Sequence, residues 1–209
     1  MTIDDLEREK VRLVQLAMDL IARRGAAIDR LTLAAEAGVA RARIDSIFPE
    51  DSDLIDGIVA EWYAPDLAIF EEVVESDLPI QRKFYEFYAR RFAREQERFA
   101  RDPELYALYL ELGEAHFERV RGYIDLADHY LTELIAQAQD EGFFAGLPID
   151  NALRLINQMV ICYTSPQMMV IIADRLSTDK LAKIIDTLFA GLSAEEGGAL
   201  GVSNLKIAT

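Results

Sequence analysis

Arg30, Arg41 and Arg43 fall within fourteen positions of one another, beside Thr32, Asp45 and Ser46. Arginine offers a planar fork of donors that suits phosphate oxygens and the guanine edge, and hydroxyl side chains suit phosphate. Chemistry of other kinds finds little support. There is no nucleophile, base and acid at workable spacing, no phosphate-cradling glycine loop and no metal cluster. His116 and His129 lie 13 apart on one expected helix and cannot share a metal locally. Cys162 is the sole cysteine, which excludes an internal disulfide and a CxxC site. The carboxylates are numerous but scattered, so an enzyme is not expected, and neither is a cofactor.

The elements that would position these residues belong to a chain of 209 residues with 51% hydrophobic content. That suffices for one large domain, or a small one fused to a larger, and it excludes overall disorder. The net charge is −15, so the global field repels nucleic acid and any such binding must be local. Residues 1–10 are polar and acidic, unlike a signal peptide, and the apolar run 159–173 is short and interrupted by Thr164 to Gln167. It falls below the length of a membrane span. A cytoplasmic protein without membrane contact is therefore expected.

Apolar residues recur at three and four positions throughout, which predicts helices and no strands. Leu13, Val14, Ala17, Leu20 and Ile21 share one face of the first, closed by Arg23, Arg24 and Gly25. Asp29 is the expected cap of a short helix, Gly38 a turn, and 41–47 a second short helix that Phe48-Pro49 ends. A longer helix follows, capped by Asp51 or Ser52, and Pro65 predicts a kink or break within 62–66. Pro79 and Pro103 read as first helical residues, Asp102 as a cap and Gly113 as a divider. A long helix ends at Gly142, and two last helices span about 150–172, with a kink at Pro166, and 178–190. Residues 193–209 read as a flexible tail.

The segment DRLTLAAEAGVARARIDSIF, residues 29–48, fits a helix-turn-helix. Ala34 and Ala37 let two helices cross closely, Gly38 permits the turn, and Val39 and Ile44 seal the unit onto the first helix. Three stretches in order, LVQLAMDLIARRGA, LAAEAGVA and RARIDSIFPEDSDLI, resemble the DNA-binding domain of the tetracycline-repressor (TetR) family of bacterial regulators. The resemblance implies an all-α homodimer of about nine helices. Residues 1–50 would form the helix-turn-helix domain and 51–192 a helical ligand-binding and dimerisation domain. A small-molecule effector would release a two-fold symmetric double-stranded DNA operator. Within that frame Arg41 or Arg43 reads bases, Arg30, Thr32 and Ser46 hold the backbone, and Ala40, Ala42 and Asp45 share the surface.

Two positions depart from the family. Asp45 stands where an aromatic residue usually touches the backbone, and Asp51 where a lysine often lies. Residues 1–60 hold eight Lys or Arg against twelve Asp or Glu, a net of −4. The alternative is thus a dimeric small-molecule-binding protein whose helix-turn-helix no longer binds DNA. Residues 81–101 carry seven cations against three glutamates, read as a solvated face with internal pairs such as Glu86 with Arg90. Trp62, Tyr88, Phe92, Tyr109, His116 and Tyr163 are candidates to line a site for an apolar or aromatic effector. Leu153, Ile156, Met159 and Val160 with Leu181, Ile184, Ile185 and Leu188 are candidates for the dimer interface.

Overall fold

The computed structural model describes residues 3–194, which form eleven α-helices, one 3-10 turn and no strand. The helices are α1 (Ile3–Arg24), α2 (Arg30–Ala37), α3 (Arg41–Ile47), α4 (Asp51–Glu75), α5 (Ile80–Arg101) and α6 (Pro103–Ala115). Then come α7 (Phe117–Asp140), α8 (Ile149–Met159), α9 (Ile161–Thr164), α10 (Pro166–Ile171) and α11 (Thr178–Leu192). They fall into two compact units. The first takes in the chain up to Leu67 together with Arg98–Ile124, and the second Ala68–Glu97 together with the chain from Asp125 onward. Helices α4, α5 and α7 each contribute to both units.

The first unit is built on the apolar face of α1. Leu13, Val14, Ala17, Leu20 and Ile21 meet Leu33 and Ala34 of α2, Ile44 and Ile47 of α3, Phe48, and Leu54, Ile55 and Ile58 of α4, all buried. Leu105, Leu108, Tyr109 and Leu112 of α6 pack against that core. Periodicity showed the face of α1 but not that α6 would cover it. Asp29 caps α2 by accepting the Thr32 N–H at 2.7 Å, and Gly38 ends it with φ 67°, a left-handed conformation that glycine adopts without penalty. Asp66 is enclosed, and the Tyr123 hydroxyl donates to it at 3.2 Å while the Tyr63 ring stacks on Tyr123.

In the second unit the rings of Phe84, Phe144 and Phe189 meet one another, and Phe70 stacks on Phe87 at 4.2 Å. Lys83 is buried with its Nζ donating to Val74 O and Gln137 Oε1, both at 2.9 Å. A cation thereby meets a carbonyl in the last turn of α4, where the helix dipole favours it.

Several boundaries differ from expectation. Helix α4 runs through Pro65 without a break, and Asp51 is its first residue instead of its cap. The Asp53 side chain accepts the Glu50 N–H at 2.7 Å just before it. Pro79 precedes α5 by one residue, and the division after α6 falls at His116, three residues beyond Gly113. The expected helix over 150–172 is three pieces. Ser165 takes an extended conformation ahead of Pro166, and its side chain caps α10, so the proline starts a helix where a kink was expected. The expected tail lies outside the described residues, apart from its first two.

Candidate functional site

The surface expected to meet DNA is the outer side of α2 and α3. Helix α3 starts at Arg41, immediately after Gly38, Val39 and Ala40, and buries Ile44 and Ile47. Burial of those two leaves Ala40, Arg41, Ala42 and Ser46 exposed and Arg43 and Asp45 half-buried. Thr32 and Arg30 lie on α2, also half-buried. The fold thus brings the eight expected residues onto one small helical unit.

Their charges are already matched. Arg30 Nε donates to Asp51 Oδ1 at 2.7 Å, and its Nη1 donates to Asp45 Oδ1 at 3.2 Å, to Phe48 O at 2.9 Å and to Pro49 O. Arg41 Nε donates to the same Asp45 oxygen at 2.9 Å. Arg43 pairs with Glu9 of α1, its Nε at 3.3 Å from Oε1 and its Nη2 on Oε2. The hydrogen bond from Arg43 holds the Glu9 carboxyl below its ordinary range, and Glu9 pushes the Arg43 guanidinium up. Asp51 does the same for Arg30. The Ser46 hydroxyl donates to Arg43 O at 2.7 Å, and Thr32 is engaged in capping with Asp29. Asp45 and Asp51, the two departures from the family pattern, are the acceptors that fasten α2 to the end of α3 and the start of α4. Sequence spacing gave no sign of this, because Arg30 and Asp51 lie 21 positions apart.

These pairs differ in how readily they open. The Arg41 and Asp45 side chains are 44% and 40% exposed, and an ion pair so solvated contributes little. Arg41 can therefore exchange its carboxylate for a base edge or a phosphate. The Arg30 side chain is only 12% exposed and faces four acceptors, so it acts as a clamp.

The expected effector residues divide between the units. Trp62, Tyr109 and His116 belong to the first. Tyr109 stacks on Trp62 at 4.1 Å, Arg98 lies 3.9 Å over the same indole, and its Nη2 donates to Trp62 O at 2.8 Å. Burial pushes the Tyr109 phenol up to about 12. His116 ends α6, its N–H bonded to Leu112 O. Tyr88, Phe92 and Tyr163 belong to the second unit, where Phe92 and Tyr163 meet edge to face at 5.0 Å. The Tyr163 hydroxyl donates to Ser177 O at 3.2 Å. Tyr88 is 2% exposed, and its hydroxyl meets no hydrogen-bond partner among the described residues. No group of His, Cys, Asp or Glu among those residues is placed to hold a metal, and no described helix is long and apolar enough to cross a membrane.

Of the eight residues expected at a dimer interface, Ile156, Val160, Leu181, Ile185 and Leu188 are buried in the single chain. Leu153 and Ile184 are half-buried, and Met159 is exposed. The apolar residues left exposed along α8 to α10 are Leu155, Met159, Ile161, Met168 and Ile171. The basic stretch of α5 has internal pairs, as expected, but it is not a solvated face throughout, since Lys83 and Glu95 are buried. Arg82 and Arg90 pair with Glu86, Arg90 also with Glu72, and Arg91 Nη2 donates to Thr164 O.

Comparison with known proteins places this arrangement. Residues 81–185, half of the chain, match the family of the tetracyclin repressor-like C-terminal domain. The fold is similar to that of the fatty acid degradation regulator FadR from Bacillus halodurans, with a TM-score of 0.57 and 20% identity. That match covers 88% of this chain and 95% of the other. It is similar to a TetR family regulator from Shewanella sp. PV-4, at 0.55 and 19% identity over 86% and 95% of the two chains. It is also similar to FadR from Bacillus subtilis in complex with stearoyl-CoA, at 0.53 and 20% over 87% and 96%. No curated protein matches the chain.

Proposed function

Because the chain belongs to the tetracycline-repressor-like (TetR) family of transcription regulators, we propose that it is an effector-responsive repressor. It binds a two-fold symmetric operator as a homodimer, and an apolar or aromatic small molecule releases it. The observation that carries this reading is α3, which begins just after the left-handed Gly38 turn and leaves Arg41 and Ala42 exposed on a short helix seated on α1. Such a helix enters a major groove with its first residues toward the bases. Arg41 reads a base after leaving Asp45, Arg30 holds the helices in register, and Thr32, Arg43 and Ser46 lie beside the phosphates. The exposed apolar residues of α8 to α10 support pairing of two copies there, with Met159 common to this face and to the expected interface.

A second reading, an effector-binding dimer without DNA affinity, is favoured by the ion pairs that occupy Arg30, Arg41 and Arg43. Sequencing of genomic fragments retained by the purified protein separates the two. The repressor reading expects an enriched palindrome with half-sites one helical turn apart, about 34 Å. It expects the enrichment to vanish in the Arg41→Ala/Arg43→Ala variant. Retention of no fragment above background would support the second reading.

A further inference from the structure

We propose that the Tyr88 hydroxyl anchors the effector, and that the effector therefore carries an acceptor oxygen, a carboxylate or ester carbonyl, on an apolar body. This rests on the effector-binding reading above. Tyr88 stands on α5 with Arg91 one turn later on the same helix and Phe92 beside that arginine. The hydroxyl is enclosed and meets no hydrogen-bond partner among the described residues, whereas several polar groups near it in sequence or space are engaged. Asp128 accepts the Asn157 Nδ2–H at 2.8 Å, Arg91 Nη2 donates to Thr164 O at 3.0 Å, and Tyr163 donates to Ser177 O. An enclosed hydroxyl without an acceptor lowers stability, so native proteins seldom keep one without a use.

The surroundings select the chemistry. The Phe87 ring meets Tyr88 edge-on at 5.1 Å, and Phe92 with Tyr163 adds further aromatic surface in the same unit. That favours an apolar or aromatic body. Burial and the Asp128 carboxylate keep the phenol protonated, so it remains a donor across the physiological range. Asp128 and, less strongly, Arg91 act on this phenol with opposite signs, so it is the unmet proton of the hydroxyl, which needs an acceptor, that selects an acceptor oxygen over a cationic head. Tyr163 on α9 belongs to the same unit but has a carbonyl of its own to satisfy, so Tyr88 is the hydroxyl left for a ligand.

The test measures two things on the full chain, wild type beside Tyr88→Phe. One is calorimetric binding of phenylbutyrate, its methyl ester and phenylbutylamine. The other is the thermal midpoint without ligand. Wild type is expected to bind the acid and the ester but not the amine. Tyr88→Phe is expected to weaken both by roughly tenfold, about 1.4 kcal/mol. Its midpoint without ligand is expected to equal or exceed that of wild type, because an unmet hydroxyl has been removed. Equal affinities for wild type and variant, equal binding of the amine, absence of binding by acid and ester, or a lowered midpoint would each overturn the proposal. Protein that binds phenylbutyrate through Tyr88 yet keeps its DNA would sink the release mechanism and leave the site standing.

Discussion

Arg30 carries one positive charge and faces four acceptors, Asp45, Asp51 and the carbonyls of Phe48 and Pro49. A guanidinium spans them because its donors diverge in one plane, which an ammonium cannot imitate. Arg30→Lys is therefore expected to lower the thermal midpoint and to weaken DNA binding together, read by circular dichroism melts and by a duplex titration. Asp45 has the opposite sign of effect. It competes for Arg41 and places a negative charge beside the expected phosphates. A unit charge at 4 Å in water amounts to about 1 kcal/mol, so Asp45→Asn is expected to tighten operator binding roughly fivefold. Unchanged or weaker binding would show that Arg41 does not leave its carboxylate. Asp29 supplies a pH test. The Thr32 N–H holds its carboxyl below the ordinary 3.8, so its contribution is complete above that value and is lost as pH falls through the lower folded value. Asp29→Asn caps equally well and does not titrate there. Its stability at pH 7 should match wild type within tenths of a kcal/mol, with a shallower decline in acid, measured by denaturant melts across pH. The Asp29 cap, the Gly38 turn and the bounds of α3 were legible in the sequence, because each depends on neighbours within four positions. The Arg30 and Arg43 pairs were not, since their partners lie 21 and 34 positions away.

Helix α4 lies against α1 at Gly57, where an added Cβ would stand 2.6 Å from Val14 Cγ2. Val14 is buried and branched, so it cannot step aside easily. Gly57→Ala gains about 1 kcal/mol of helix propensity but meets an overpacking cost of about 1–3 kcal/mol. A net loss of stability is expected, and a stabilised variant would contradict the close approach. Further along the same helix, Pro65 removes the bond to Glu61 O that an interior residue would make, yet the helix continues. Pro65→Ala should raise the thermal midpoint. If the helix bends there when the effector binds, the same variant should also blunt effector-driven release, and unchanged release would exclude that role. Proline position is plain in sequence, but whether tertiary packing overrides a helix breaker is not. The same limit explains Pro166, which opens α10 because Ser165 is extended, and the division at His116 where Gly113 was expected.

At the scale of the whole molecule, two separate stretches converge. The resemblance to the TetR family rests on residues within 1–60, and the family match rests on 81–185. All-α architecture was legible because helical periodicity persists along the chain. The division into units was not, because α6 joins the core of α1 to α4 through contacts that no local pattern encodes. The expected dimer residues differ in how much of each the single chain leaves outside, which local pattern does not encode. Helices α8 and α11 each have one strongly apolar stripe, and most of it is buried. Two copies are expected to pair through the residues left outside, so Met159→Glu/Ile171→Glu should convert a dimer to a monomer in analytical ultracentrifugation. A monomeric wild type, or a variant that stays dimeric, would contradict that placement. The net charge of −15 makes DNA binding the most exposed claim of all. The most direct measurement is the affinity for the enriched genomic duplex and for its scrambled counterpart, at two salt concentrations, for wild type and Arg41→Ala. The account predicts specific binding that weakens with salt, and a slope of log K against log salt reduced by up to about 0.9 in the variant if Arg41 also neutralises a phosphate. Equal affinity for both duplexes at low salt, unchanged by Arg41→Ala, would contradict it.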